Sequence, residues 1–199
     1  MGQRLCVTIN RDNKDLAKIY YHWSAYTYSA LDELQRITRC LKDHEDKSDR
    51  ELQLSLIKFC ENNGGGIRGD VSEFVHICNI YPNETFKTDG YSRNNGLIAI
   101  SEKGMADLQD WSEGDATINL NEDEIEFGVY SWCESLESYN EDRQEWDDDF
   151  EPLTLDEVPD IGYDLSCFNI NDIGKIIAHL DEANSHVVKN GNEIFELIE

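Results

Sequence analysis

The chain is 199 residues long and 39% hydrophobic, and its four Trp, nine Tyr and seven Phe exclude a purely solvated acidic tail. Its formal net charge is −25 at pH 7, and residues 1–100 carry 13 Lys and Arg against 14 Asp and Glu, whereas residues 101–199 carry 4 against 28. This charge argues against direct binding to nucleic acid or to an anionic membrane surface, since both would repel the protein.

The first part of the chain predicts a hairpin followed by two helices. Residues 3–10 and 16–23 are β-branched and aromatic runs, with the turn-rich segment 11–15 between them. One helix is predicted behind a cap at Ser29, and another behind the capping-box sequence that starts at Ser48. Their apolar residues recur at steps of three and four: Leu31, Leu34, Ile37 and Leu41 in the first helix, and Leu52, Leu56, Ile57 and Cys60 in the second.

Less regular segments follow the second helix. Residues 62–70 contain three consecutive glycines but lack the Gly-Lys-Ser/Thr ending of a phosphate-binding loop, which predicts a flexible linker. Asp70 is placed to cap a short helix, and residues 81–95 predict a polar loop.

The second half predicts a strand at 96–101, a helix, a second hairpin that turns at 121–123, and a further helix behind Asn171. The apolar residues of these elements are Met105, Leu108 and Trp111 in the first helix, Ile118, Leu120, Ile125, Phe127 and Val129 in the hairpin, and Ile173, Ile176, Ile177 and Leu180 in the last helix. Residues 134–160 predict a long acidic connection, and residues 189–192 a closing hairpin turn.

Strands and helices are mixed without a regular βαβ alternation, which predicts an α+β fold with a mainly antiparallel sheet and packed helices. We expect a single α+β domain over 1–199, or two lobes: a near-neutral one over 1–95 and an acidic one over 96–199. No stretch approaches the roughly 18 apolar residues of a membrane span, and the N-terminal sequence lacks the apolar core of a signal peptide. A cytoplasmic location is therefore expected.

The cysteines stand singly in the sequence, and no CxxC pair exists. This spacing predicts reduced, buried thiols and disfavours a disulfide framework or a zinc site. The six residues are Cys6, Cys40, Cys60, Cys78, Cys133 and Cys167.

Two acidic clusters are the candidate functional feature of the chain, one on the predicted second hairpin and one on the acidic connection. A strand advances about 3.3 Å per residue, so Glu122, Glu124 and Glu126 would follow one another at about 6.6 Å on one face. Phosphates on one nucleic-acid strand follow one another at roughly 3.4 Å of axial rise. Because the strand winds around the axis, the distance between neighbouring phosphates is longer than this rise and of the same order as the carboxylate spacing. The predicted partner-binding residues are Glu122, Asp123, Glu124, Glu126, Asp142, Glu145, Asp147, Asp148, Asp149 and Glu151, with Tyr139 and Trp146 as aromatic anchors.

The alternative interpretation of these clusters is a solvated face that only keeps the protein soluble. Two features favour an interaction surface. Arg143 is the one basic residue between Glu122 and Glu151, so the usual mixture of signs is missing. Aromatic residues also interleave with the acids and offer the contact area that charge alone lacks.

Enzyme chemistry has weaker support in the sequence. The aromatic stretch 20–26 would, as a strand, place Tyr20, His22 and Ser24 on one face, but no third partner completes a nucleophile-and-base set. Residues 147–149 lack the order of a calcium-binding EF-hand loop. We therefore predict no catalytic residues, no metal site and no cofactor.

The opening MGQRL, followed by YYHWSAY at 20–26, resembles the start of an uncharacterised family of acidic proteins encoded by bacteriophages. The resemblance covers about the first thirty residues and brings no catalytic motif. It implies that the protein acts in the cytoplasm of a bacterial host during infection. Phage-encoded acidic proteins that mimic DNA are one kind of antagonist of restriction and CRISPR defences.

The leading hypothesis is a non-enzymatic, DNA-mimicking inhibitor that docks onto a basic nucleic-acid-binding host protein. A second hypothesis is a small phage hydrolase or nucleotide-binding protein with a cleft near 20–26. A third is an acidic structural protein that binds itself as a homo-oligomer.

Overall fold

The computed structural model describes residues 4–25, 27–68, 95–128 and 166–179. Within these ranges the strands are Leu5–Arg11 (β1), Lys14–Tyr21 (β2), Gly66–Ile67 (β3), Leu97–Ala99 (β4), Gly114–Asn119 (β5), Glu124–Gly128 (β6) and Cys167–Asn169 (β7). The helices are Thr27–Cys40 (α1), Asp49–Asn62 (α2), Glu102–Gln109 (α3) and 173–179 (α4), with short 3₁₀ turns at His44–Asp46 and Ile170–Asp172. The predicted α+β fold with a mainly antiparallel sheet is confirmed.

The seven described strands form one sheet in the order β3-β4-β2-β1-β5-β6-β7. The β1–β5 and β3–β4 pairs are parallel, and the other four neighbouring pairs are antiparallel. At the centre, β1 lies against β5 with Leu5 opposite Gly114 and Asn10 opposite Asn119. The sheet therefore takes strands from both sides of residue 95.

The first hairpin turns at Asp12 and Asn13, whose φ angles are 54° and 57°. A two-residue hairpin turn of this kind needs left-handed backbone at both central positions, which Asp and Asn tolerate better than most residues. The turn predicted at 11–15 is confirmed but is shorter, because Arg11 already pairs with Lys14 across the two strands.

Helix α1 begins at Thr27, so the predicted cap at Ser29 is wrong. Ala30, which would be the first helical residue behind a cap at Ser29, is instead the fourth residue of α1 and is fully buried. The predicted inward residues of α1 are all buried. The apolar period therefore identified the helix correctly while the cap signal misplaced its start.

Helix α2 begins as its sequence predicts. The Ser48 side chain accepts a hydrogen bond from the Glu51 backbone N–H at 3.3 Å, and the Glu51 carboxylate accepts one from the Ser48 backbone N–H at 2.8 Å. This reciprocal arrangement is a capping box, which satisfies two backbone donors that the first helical turn leaves free. Leu52, Leu56 and Ile57 are fully buried on the inward side of α2.

The glycine-rich segment after α2 is packed, which corrects the prediction of a flexible linker over 62–70 for its described part. Gly66 and Ile67 pair with β4 as a short parallel strand. A Cβ atom on Gly65 would lie 1.9 Å from the carbonyl oxygen of Gly96, so only glycine permits this approach of the two backbones. The glycines serve close packing between α2 and β4.

In the second half, the predicted strand and helix at 96–111 are confirmed as β4 and α3, with Met105 and Leu108 buried. The predicted hairpin is confirmed as β5 and β6, joined by a turn at 120–123. Helix α4 buries Ile173 and Ile176. Several predictions lie outside the described residues: the helix behind Asp70, the loop at 81–94, the connection at 134–160, the turn at 189–192, and the apolar residues Val129 and Leu180.

Two hydrophobic clusters cover the two faces of the sheet unequally. The inner face packs against α1, α2 and α4 in one large cluster that includes Val7, Ile118 and Ile125. On the outer face a smaller cluster forms between the sheet and α3, around Tyr20 and Leu108. None of the described helices has the length and apolarity needed to cross a membrane.

The four described cysteines are free thiols. Cys6 and Cys60 are fully buried, and burial raises the pKa of Cys6 to about 12 and that of Cys60 further. Cys167 is exposed, so the prediction of buried thiols is wrong for this residue, which lies on the outer face of edge strand β7. Cys78 and Cys133 lie outside the described residues.

Candidate interaction surface

The outer face of the sheet changes character along the strand order. On the β2 and β4 side it is mainly apolar, with Lys18 as a charged residue, and Met105 and Leu108 of α3 pack on it. Across β5, β6 and β7 the same face is polar, because side chains alternate along a strand and opposite residues of neighbouring strands share a face. We call this region the acidic face, and its residues are Asp115, Thr117, Asn119, Glu124, Glu126, Cys167 and Asn169.

Glu124 and Glu126 are exposed carboxylates of the acidic face. The third carboxylate of this face, Asp115, already accepts hydrogen bonds from Gln109 and Ser112. The Asn119 side-chain amide donates to Glu126 Oε1 at 3.2 Å, and Cys167 Sγ lies 3.8 Å from Glu124 Oε2. Within the described part of the chain neither carboxylate has a basic partner. Among the described residues, their carboxylates are therefore contacted by neutral donors and by no basic side chain.

The turn that leads into β6 is joined to the turn of the first hairpin. The Asp12 backbone N–H donates to Asn121 Oδ1 at 2.7 Å, and Asn121 Nδ2 donates to Asp12 Oδ1 at 2.9 Å. The Leu120 N–H also donates to the Asn10 carbonyl at 3.0 Å. Two turns that are 109 residues apart in sequence are thus linked side by side at one end of the sheet.

The other side of the same turn is held by His44 and by the start of the second 3₁₀ turn. His44 Nε2 lies 3.0 Å from the Leu120 carbonyl oxygen and 3.8 Å from Asp123 Oδ1. Because a carbonyl oxygen only accepts, Nε2 carries the proton of this hydrogen bond. The Ile170 N–H donates to the Asp123 carbonyl at 2.8 Å.

The structure places Glu122 differently from the sequence prediction. Strand β6 begins at Glu124, and Glu122 stands in the turn that precedes it. The regular spacing predicted for three carboxylates therefore holds only for the pair Glu124 and Glu126. Asp123 adopts a φ of 53°, which Asp tolerates in tight turns, and its carboxylate lies near His44.

A cavity of about 370 Å³ lies where the two turns meet the acidic face. Carboxylates and amides alone line it: Asn10, Asp12, Asn13, Asn119, Asn121, Glu122, Glu124 and Glu126. Among the described residues no three His, Cys, Asp or Glu side chains are grouped so that they could hold a metal ion. The hydrogen-bond acceptors and the negative charge of this lining suit a basic group of a partner.

The structure describes four of the twelve predicted partner-binding residues and brings all four to this end of the sheet: Glu122, Asp123, Glu124 and Glu126. The others lie outside the described residues: Tyr139, Asp142, Glu145, Trp146, Asp147, Asp148, Asp149 and Glu151. Sequence reasoning missed Asp12, Asn121 and His44. No local signal marks them, because each contributes through a contact with a segment distant in sequence.

The aromatic stretch of the alternative hypothesis does not form one strand. Strand β2 ends at Tyr21, after which the chain turns toward α1, and Ser24 is buried. His22 Nδ1 lies 2.8 Å from the Tyr20 hydroxyl, and its ring packs edge-on to Trp23, which is 50% exposed. The predicted strand face of Tyr20, His22 and Ser24 is therefore wrong beyond Tyr21.

A larger cavity, of about 1070 Å³, lies between β2, α2 and α3. Three basic and three acidic side chains line it, which gives it no dominant sign: Lys14, Lys18, Arg50, Asp15, Asp49 and Glu102. The adjoining edge of β2 is partly closed by Gln53, whose Nε2 donates to the Leu16 carbonyl at 2.8 Å. This cavity does not select a ligand by charge.

The acidic face and the turn at 120–123 can thus present fixed, exposed carboxylates to a basic partner. Among the described cysteines, burial raises the pKa of Cys6 and Cys60, which disfavours their reactive thiolate form. No protein-family model matches this chain, and no curated protein or solved structure matches it either.

Proposed function

We propose that the protein is a non-enzymatic inhibitor that docks its acidic surface onto the basic nucleic-acid groove of a host defence protein. The acidic surface comprises the acidic face together with the turn at 120–123. One observation carries the proposal: helix α3 covers the apolar half of the outer sheet face, while the other half is acidic and exposed. A sheet face with uncompensated charge is complementary to a basic partner.

The charge of the surface would act at two distances. At long range, carboxylates that face one direction attract a positively charged groove and raise the rate of encounter, an effect that falls as salt is added. At contact, Glu124 and Glu126 sit two residues apart on one rigid strand and can meet successive Lys or Arg side chains. Both effects use charge that the fold leaves without a basic partner among the described residues.

The class of partner follows from what such a groove normally holds. A basic groove that binds DNA or RNA offers rows of Lys and Arg to phosphates. A folded protein with exposed carboxylates can occupy that groove without containing nucleic acid. Together with the resemblance to phage-encoded acidic proteins, this favours a restriction or CRISPR nuclease of the bacterial host, or its targeting complex, as the partner.

A charge-reversal experiment tests the proposal. The triple variant Glu122→Lys, Glu124→Lys, Glu126→Lys is compared with a control that reverses three exposed carboxylates on other elements: Asp32→Lys, Glu102→Lys and Asp110→Lys. Both variants change the net charge equally. The measurement is DNA cleavage by a panel of restriction and CRISPR nucleases in the presence of each protein at low salt.

We expect wild type to inhibit at least one nuclease, and the acidic-surface variant to need at least about tenfold more protein for the same inhibition. The control should stay within about threefold of wild type, since it removes only long-range attraction. Equal losses in the two variants, or no inhibition by wild type, would contradict the proposal. Circular dichroism of all three proteins verifies that the fold is retained.

A further inference from the structure

We infer that Glu122 is the principal contact residue of the acidic surface, and that Asp12, Asn121 and His44 are positioning residues that fix the turn presenting it. The inference rests on the proposed function and concerns how the same surface recognises a basic partner. It follows from an asymmetry among the four residues of the turn at 120–123.

Three of the four turn residues are tied to other parts of the fold. Leu120 is held through both backbone groups, by the Asn10 carbonyl on one side and His44 Nε2 on the other. Asn121 exchanges two hydrogen bonds with Asp12. Asp123 accepts from the Ile170 N–H. The contacts come from the first hairpin, from the 3₁₀ turn His44–Asp46 and from the start of the second 3₁₀ turn, so the turn is held from three directions.

Glu122 is the fourth residue, and it is exposed. Its side chain makes no hydrogen bond or ion pair to any residue in the described ranges, unlike Glu124 and Glu126, which approach Cys167 and Asn119. Both oxygens of Glu122 are therefore available to a partner without first leaving an internal donor. This combination of a fixed backbone and an unengaged carboxylate is found at no other acid of the acidic surface.

Binding favours such an arrangement because ordering a flexible loop costs free energy at the moment of association. A turn that is already held loses little backbone freedom when a partner docks. The carboxylate of Glu122 then needs only to select a rotamer. A Lys or Arg side chain of the partner, directed at the cavity between the two turns, would meet Glu122 at its rim.

The positioning role can be separated from charge. Asn121→Ala removes the two hydrogen bonds to Asp12 but keeps every carboxylate of the protein. Electrostatics alone predicts no change in binding for this variant, whereas loss of the fixed turn predicts weaker binding. Asn62→Ala, at an exposed amide near the end of α2, is the matched control.

The experiment measures binding of a fluorescent nona-arginine peptide to the full chain by anisotropy, over a range of salt concentrations. Glu122→Gln should weaken binding about fivefold and flatten its dependence on salt, and Asn121→Ala should weaken it about threefold without changing that dependence. Glu102→Gln, an exposed single-charge control on α3, and Asn62→Ala should each change the affinity less than about twofold.

The inference is overturned if Glu122→Gln binds the peptide as tightly as Glu102→Gln does, or if Asn121→Ala matches Asn62→Ala. The triple charge-reversal variant, measured in the same assay, separates this failure from failure of the proposed function. If that variant loses affinity selectively while the single variants do not, the acidic surface stands and the special role of Glu122 falls. If it loses no more than its control, the proposed function itself fails.

Discussion

Glu33 and Glu51 show how differently two carboxylates are treated within one fold. The Glu33 side chain is 12% exposed, with one oxygen 3.0 Å from the Arg36 guanidinium, and its burial raises the pKa above the ordinary value despite that partner. The Glu51 carboxylate is exposed at the start of α2, and its hydrogen bonds from Ser48 lower the pKa. Desolvation governs the first group and hydrogen bonding the second.

The raised pKa of Glu33 makes a prediction about stability and pH. The folded chain binds a proton at this site more readily than the unfolded chain, so its contribution to the free energy of unfolding falls as the pH rises through the folded pKa. Glu33→Gln cannot titrate. The unfolding free energy of Glu33→Gln minus that of wild type should therefore increase between about pH 4 and pH 7.

Urea denaturation of both proteins across this range measures that difference. The substitution also removes the ion pair with Arg36, which changes the free energy of unfolding of the variant. Because glutamine does not titrate, the slope of the difference against pH reports the titration of Glu33. A difference that stays constant or shrinks toward pH 7 contradicts the assignment. Glu45→Gln, at an exposed site, is the control for removing one carboxylate.

Among the elements, those with a strong local period could be predicted from sequence. The stripes of α1, α2 and α3, the capping box at Ser48 and both hairpin turns were found, because each depends on residues within one or two turns of chain. The parallel pairing of β1 with β5 and the contact of Asp12 with Asn121 were missed, since both join segments that are distant in sequence. The placement of Glu124 and Glu126 on one face of a strand was predicted from local alternation, whereas the contacts that hold the turn beside them join distant segments and were missed.

The sequence did not predict strand β3, because its three consecutive glycines indicated a flexible linker. In the structure the glycines allow two backbone segments to approach each other closely. Gly65→Ala would place a methyl group 1.9 Å from the Gly96 carbonyl oxygen, the acceptor of the Gly66 N–H. The backbones must separate, and we expect a loss of about 1 to 3 kcal/mol in the free energy of unfolding.

Gly174→Ala is the matched control for that substitution. Its Cβ would meet Gln35 Nε2 at an ordinary 3.5 Å, and its helical position favours alanine by about 0.5 to 1 kcal/mol. Chemical denaturation should therefore show opposite signs for the two glycine-to-alanine changes. A neutral Gly65→Ala would contradict the close packing of β3 against the segment that precedes β4.

At the scale of the whole molecule, most of the excess negative charge belongs to residues outside the described ranges. The described residues carry 13 Lys and Arg against 20 Asp and Glu, whereas the residues outside them carry 4 against 22. The described ion pairs, such as Arg4 with Glu113 and Lys14 with Asp49, are partly exposed and contribute little to stability. We therefore expect repulsion among the excess carboxylates to destabilise the folded chain by more than these ion pairs stabilise it.

This imbalance predicts that salt stabilises the protein. Added NaCl shortens the range of repulsion from about 30 Å at 0.01 M to about 10 Å at 0.1 M, while the exposed ion pairs have little to lose. The melting temperature should rise with NaCl, by roughly 2 to 4 °C for each kcal/mol gained in a chain of this size. The triple charge-reversal variant, which is less negative, should show a smaller rise. Scanning calorimetry in NaCl and in MgCl₂ at equal ionic strength separates screening from cation binding. A melting temperature that falls with NaCl would show that local ion pairs dominate. A much larger rise of the melting temperature with Mg²⁺ than with NaCl would show that a cation site contributes.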